Sequence, residues 1–229
     1  LFGSARNWGA IAKRLSDARE VRAVDMRNHG ESPRATTQTY FNMAKDLGEA
    51  LKVPAHVLGH SMGGKAAMGL ARTQPEQVAR LIIADIAPVA YAHTQMPMID
   101  AMRAVDLAGV EKRSDADAQL AKHVDEPGVR AFLLQSLDVK AQRWRLNLDV
   151  LAAEIVKIIG FREVSGRCDG PTLFLTGANS DYVQRTHRDR IKSLFPKARF
   201  AGLSGAGHWL HADNPREFEA AVRVFLNGE

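Results

Sequence analysis

The chain reads as an α/β protein with a mostly parallel sheet, and three observations lead there. Short apolar runs alternate along the 229 residues with segments whose apolar side chains recur at helical spacing. The run Leu81-Ile82-Ile83-Ala84-Asp85-Ile86 is nearly unbroken, as in a strand covered on both faces. At Gly59-His60-Ser61-Met62-Gly63 an apolar run breaks on a serine between glycines and turns helical at once.

Taken in order, the chain opens on a loop, Leu1 to Trp8, and an amphipathic helix to about Leu15. Residues 21–25, Val-Arg-Ala-Val-Asp, read as a short strand, followed by a loop through Pro33. Tyr40, Met43, Ala44, Leu47 and Leu51 keep helical spacing, and Pro54 punctuates the end of that helix. Next come a strand from Ala55, an Ala-rich helix from Met62 to about Thr73, and the strand at 81–86. Between Pro88 and Gly170 the alternation stops. Segments 96–107, 115–123, 128–137 and 146–159 read as helices with no strand between them, an inserted helical cap. Met96, Met98 and Met102 at its start suit ordinary packing, with contact to an acyl chain as the sharper reading. Alternation resumes with a strand at 171–177, a helix at 187–195, a strand at 198–203 and a closing helix at 215–226. Residues 1–88 and 170–229 therefore form a core, and 89–169 a helical cap or lid.

A hydrophobic content of 45% in a chain of this length allows a sizeable buried core. The single cysteine, Cys168, excludes an internal disulfide framework and agrees with a reducing, cytoplasmic compartment. No apolar run approaches the ~20 residues that span a bilayer, so no membrane partner is expected. Thirty-one basic against 26 acidic residues give a net charge of +5, but the charges are interleaved, as at 185–192, like a solvated helix face. Nucleic acid is not an expected partner, although a mild preference for anionic substrates remains compatible.

The chemistry starts at Ser61. A serine on a sharp strand-to-helix turn presents Oγ clear of the sheet, and side chains at Gly59 and Gly63 are expected to collide across that turn. The bland alternative is a glycine-rich helix cap. The following helix aims its N-terminus at the site, where free N–H groups favour an oxyanion. A hydroxyl needs a base. Of eight histidines, His208 lies in a small-residue loop, Leu203 to Trp209, after the last strand, at the edge where such sites gather. His211 is its rival. His123 and His187 read as surface residues, and His60 must leave its strand on the side opposite Ser61.

The segments Gly59 to Gly64, Asp25 to Ser32, Asp85 to Val89 and Gly205 to Trp209, with Leu1 to Trp8 and Trp144 to Leu148, resemble the α/β-hydrolase superfamily, and within it the bacterial YbfF-type esterases. The likeness implies an α/β-hydrolase fold in which Ser61 attacks an acyl carbonyl and His208 carries the proton. In most of the superfamily the third member, an acid, stands three residues after the glycine that ends the strand at Gly177. Ser180 holds that place here, and Asp181 follows it. The YbfF branch resembles a variant whose acid ends the strand after the elbow helix, at Asp85. Asp85 and the alternative acid Asp181 both stay open, with acids such as Asp149 behind them; a turn cap and an exposed loop residue are the bland readings of the first two. The loop of Asp25, Arg27 and His29 resembles one that braces the site. An oxyanion hole is expected from the N–H of Met62 and that of Leu1, with Phe2 in reserve, because in relatives a His-Gly pair precedes the position of Leu1. That pair and the strands ahead of it are absent, and one of them belongs between the strands of Val21 and Val57. A sheet without it leaves backbone groups unpaired, so a fragment or a late start is expected.

The function that follows is a serine esterase for small to medium acyl esters, with thioesters a further possibility and neither metal nor cofactor required. Alternatives are carbon–carbon hydrolases or acyltransferases with the same Ser-His-Asp set, and a catalytically silent binding protein on the same fold.

Overall fold

In the computed structural model, which describes residues 1–161 and 165–228, a 3-10 turn (Ala5–Trp8) runs into α1 (Gly9–Leu15). An irregular stretch leads to α2 (Tyr40–Ala50), whose first turn is capped by the Thr39 side chain accepting from the Asn42 N–H at 3.2 Å. Then follow β1 (Ala55–His60), α3 (Met62–Thr73) and β2 (Val78–Ala84). An insertion comes next, comprising α4 (Met96–Arg103), α5 (Arg113–Leu120), α6 (Pro127–Leu134), a hairpin of β3 (Leu137–Asp138) and β4 (Arg143–Trp144), α7 (Leu148–Ala153) and α8 (Ile155–Ile159). The chain returns through β5 (Thr172–Gly177), α9 (Arg188–Leu194), β6 (Ala198–Leu203), α10 (Leu210–Asp213) and α11 (Pro215–Asn227).

Four strands make one parallel sheet in the order β1-β2-β5-β6, with Gly59 opposite Ile83 and Ile83 opposite Phe174. Successive side chains of a strand face opposite sides, and here both sides are dry. Leu81 and Ile83 pack with α2, α3 and the insertion, while Ile82 and Ala84 pack with α1 and α11. Burying each of these large side chains contributes on the order of 2 kcal/mol, which is why β2 carries an unbroken apolar run. Among the described residues no helix is long and apolar enough to cross a membrane.

Three expectations change. Residues 21–25 form no strand: Val24 is 47% exposed, and no ladder partner is present among the described residues. Alternating valines suit a strand, but a strand exists only through a neighbour, and open space separates this stretch from β1. Among the described residues β1 is accordingly paired on one side only, to β2. The insertion contains a hairpin, two residues per arm, too short to leave a periodic trace. The helix expected at 146–159 breaks into two at Glu154, whose carbonyl accepts from both Lys157 and Ile158 at 2.9 and 3.0 Å.

Candidate active site

The ends of four parallel strands meet at one edge of the sheet, where open α/β sheets place their ligands. Ser61 stands directly after β1 with φ 53° and ψ −123°, a left-handed conformation that costs a non-glycine residue about 1–2 kcal/mol. It is held from both sides: its N–H donates to the Ala84 carbonyl at 3.1 Å, and its own carbonyl accepts from Lys65 N–H at 3.1 Å.

The close approach that makes this turn possible rests on Gly59 and Gly64. A Cβ on Gly59 would lie 2.3 Å from the Gly63 carbonyl oxygen, and one on Gly64 would lie 2.6 Å from Ile86 Cγ2. Gly63 faces open space, with nothing within 4 Å. The steric demand expected at Gly63 belongs to Gly64, because α3 touches the strand end with its third residue rather than its second.

His208 arrives on the loop after β6. Its Nε2 lies 3.1 Å from Ser61 Oγ and its Nδ1 lies 2.8 Å from Asp85 Oδ2. A carboxylate only accepts, so the ring proton sits on Nδ1 and Nε2 is left free to accept from the serine. Asp85, directly after β2, is fully buried and also left-handed, with φ 51°. Its carboxylate is satisfied from three directions: by His208, by the Gly177 N–H at 3.2 Å, and by the Ser180 hydroxyl, which donates to Oδ2. Asp181 is exposed one residue beyond Ser180, and Asp149 is paired with Arg103 at 2.6 Å.

The other histidines are placed differently. His60 Nε2–H donates to the His208 carbonyl at 2.7 Å, and burial holds its pKa well below the ordinary value, so it is a neutral prop beneath the loop. His211 stacks on Trp8 at 4.5 Å, and burial lowers its pKa to about 4. Asp213 Oδ2 accepts from the Gly207 N–H at 2.8 Å and fixes the loop just before His208. Residues 25–29, expected to brace the site, bond within their own loop and to neighbouring segments. Asp25 accepts from the Ala5 and Glu31 N–H groups at 2.7 and 2.8 Å, Arg27 forks onto Asp46 with two contacts of 2.6 Å, and His29 Nδ1–H donates to the Arg27 carbonyl at 2.8 Å.

Ser61 opens into a cavity of about 1130 Å³. Its lining includes Met98, Val124, Phe132 and Leu133 from the insertion, Tyr182, residues 21–24 and the residues of β1, so the whole volume is not substrate space. Leu1, Phe2 and Met62 all line this cavity. Met62 is the first residue of α3, so its N–H has no acceptor within the helix, and Phe2 is left-handed with φ 66°. Of the three methionines, Met98 lines the cavity, whereas Met102 is fully buried in the core.

With this geometry in view, the family model described as "Alpha/beta hydrolase family" matches residues 1–221. The chain belongs to the alpha/beta hydrolase family. Among its relatives are the mouse sn-1-specific diacylglycerol lipase ABHD11, 43% identical over 99% of this chain and 78% of that protein, and the Escherichia coli esterase YbfF, 39% identical over 99% and 90%. A solved marine microorganism esterase superposes with a TM-score of 0.92 at 37% identity, covering 98% of this chain and 92% of the other.

Within this alpha/beta hydrolase, three residues around the site escape sequence reasoning. The Tyr182 ring stacks on the His208 ring at 3.9 Å and 16°. Ser180 is noticed in the sequence only for the acid it replaces, not as a donor to Asp85. Lys65, on the helix after the serine, is 1% exposed. Each acts across a long sequence separation, and no local pattern marks it.

Proposed function

We propose that this chain hydrolyses carboxylic esters through an acyl-enzyme on Ser61, with residues 89–169 acting as a cap over the site. The single observation that carries the reading is the unbroken hydrogen-bonded series from Ser61 Oγ through His208 to Asp85. It agrees with the esterase and lipase names of the relatives. His208 Nε2 accepts the Ser61 proton as Oγ bonds to the acyl carbon, and the resulting imidazolium faces the Asp85 carboxylate. The oxyanion of the tetrahedral intermediate takes N–H groups from Met62 and from Leu1 or Phe2. The proton then passes to the leaving alkoxide, the alcohol departs, and water repeats the sequence on the acyl-enzyme. Small to medium acyl esters suit the apolar side chains that the insertion lends to the cavity, and thioesters are open to the same steps.

Ser61→Ala should lower hydrolysis of p-nitrophenyl esters by on the order of 10⁴-fold. Undiminished turnover in that variant removes the proposal. A fluorophosphonate probe should label Ser61, whereas a silent binding protein stays unlabelled. Products run with added alcohols or carbon–carbon substrates separate hydrolysis from acyl transfer and from carbon–carbon cleavage.

A further inference from the structure

Lys65 leaves α3 one turn after the serine and ends in a cage of three carbonyls. Its Nζ donates to Val89 at 2.8 Å, to Ile159 at 3.1 Å and to Gly160 at 2.8 Å. An ammonium has three N–H groups, and all three are used. The Tyr91 and Tyr40 rings cover it at 4.7 and 5.6 Å from their centroids. Among the described residues it makes no ion pair, so carbonyl dipoles and ring faces alone offset the cost of burying the charge.

The acceptors lie at two special places. Val89 begins the segment that leaves the sheet after β2, and residues 159–160 close the segment that brings the chain back toward β5. These two crossings bond directly to each other between the Tyr91 N–H and the Ile159 carbonyl at 3.0 Å. One cation therefore fastens the way into the cap to the way out of it. Tyr91 is also tied to the core independently of Lys65. The Tyr91 hydroxyl accepts from the Ala87 N–H at 2.8 Å, two residues past Asp85, and donates to the Tyr182 carbonyl at 2.7 Å; the Tyr182 ring lies on His208.

We propose that Lys65 is a positioning residue that seats the cap over Ser61 and thereby sets how long an acyl group the site accepts. This rests on the esterase reading above. A long acyl chain must lie against Met98, Val124, Phe132 and Leu133, all carried by the cap, while an acetyl group needs only the core around Ser61. Without the ammonium, the Val89 and Gly160 carbonyls at the cap's two roots lose their donor, Ile159 keeps only the Tyr91 N–H, and the wall formed by the cap loses its fixed distance from the serine.

Among the described residues, the titratable groups facing Lys65 are the Tyr40 phenol from α2 and the Tyr91 phenol from the outgoing segment, both pushed up by burial and so uncharged. Burial also brings the Lys65 ammonium down to about 7. Above that pH a neutral amine has two N–H groups for three carbonyls.

The test compares p-nitrophenyl acetate with p-nitrophenyl dodecanoate in the native protein and in Lys65→Met, together with amide hydrogen exchange. In the variant, kcat/KM for the acetate should stay within about threefold while that for the dodecanoate falls about thirtyfold or more, chiefly through KM. Exchange should quicken at residues 89–91 and 158–161 and stay slow in β2. Equal losses on both esters, or unchanged exchange at the two roots, overturn the proposal. Should Lys65→Met not fold, the native protein decides: the dodecanoate-to-acetate ratio, in which the shared Ser61 and His208 chemistry cancels, should fall as pH rises through about 7, and a flat ratio overturns it. If neither ester turns over in the native protein, the esterase reading fails by itself, and the exchange data still judge Lys65.

Discussion

The ends of β2 and β5 lie side by side on one edge of the sheet, and they use acidic residues in opposite ways. After β2, Asp85 is wholly removed from solvent, left-handed, and surrounded by an imidazole N–H, a backbone N–H and a hydroxyl. After β5, the corresponding place holds Ser180, and the neighbouring Asp181 points outward, exposed. The β5 end does not lack a part in the site, because its hydroxyl and the Gly177 N–H both serve the carboxylate of the other strand. One strand end supplies the charge, and its neighbour supplies the donors that make a buried charge tolerable.

The sharpest way to break this contrast is Asp85→Asn. An amide offers its NH₂ as readily as its oxygen, which leaves His208 free to take the wrong tautomer, and kcat should fall about 10³–10⁴-fold with the fold intact by circular dichroism. Ser180→Ala should cost much less, about tenfold in kcat, because Asp85 keeps two of its three donors. Asp181→Asn should leave kcat within about twofold. A loss at Asp181 comparable to that at Asp85 would put the working acid on the wrong strand end. A finer contrast concerns the two glycines after the serine. Gly64→Ala should destabilise the protein by about 1–3 kcal/mol through the clash with Ile86, whereas Gly63→Ala, in open space on a helix, should raise stability by about 0.5–1 kcal/mol. Urea unfolding curves of the two variants decide it.

What could be read from the residues follows the range over which each cause acts. The strand before Ser61, the helix after it, the apolar run of β2 and the closing helix α11 are written locally in side-chain period, and the described elements agree closely with that reading. The absent strand at 21–25 had the right valines and lacked a neighbour, which no local pattern reports. The break at Glu154 and the hairpin of β3 and β4 are decided by packing inside the insertion. At the site, residue types and strand ends pointed to Ser61 and His208, the family resemblance offered Asp85 with Asp181 still open, and the coordinates bring Ser61, His208 and Asp85 together. The spacing alone did not decide between Asp85 and Asp181, because both follow a strand. The collision assigned to Gly63 was misplaced by one residue, since the phase of the helix against the strand sets which glycine meets Ile86. Lys65, Ser180 and Tyr182 stayed hidden because their partners are 89 or more residues apart in part of each network, as with Lys65 and Ile159 or Ser180 and Asp85.

The backbone of Ser61 deserves one more consideration of a different kind. Its unfavourable torsion is kept in part by a bond to a residue outside the turn, the carbonyl of Ala84 on the adjacent strand. A peptide comprising residues 55–73 would relax that torsion and carry an ordinary hydroxyl, no more reactive than any other alcohol. Reactivity here is a collective property of paired strands, and it vanishes as soon as the first two of them part.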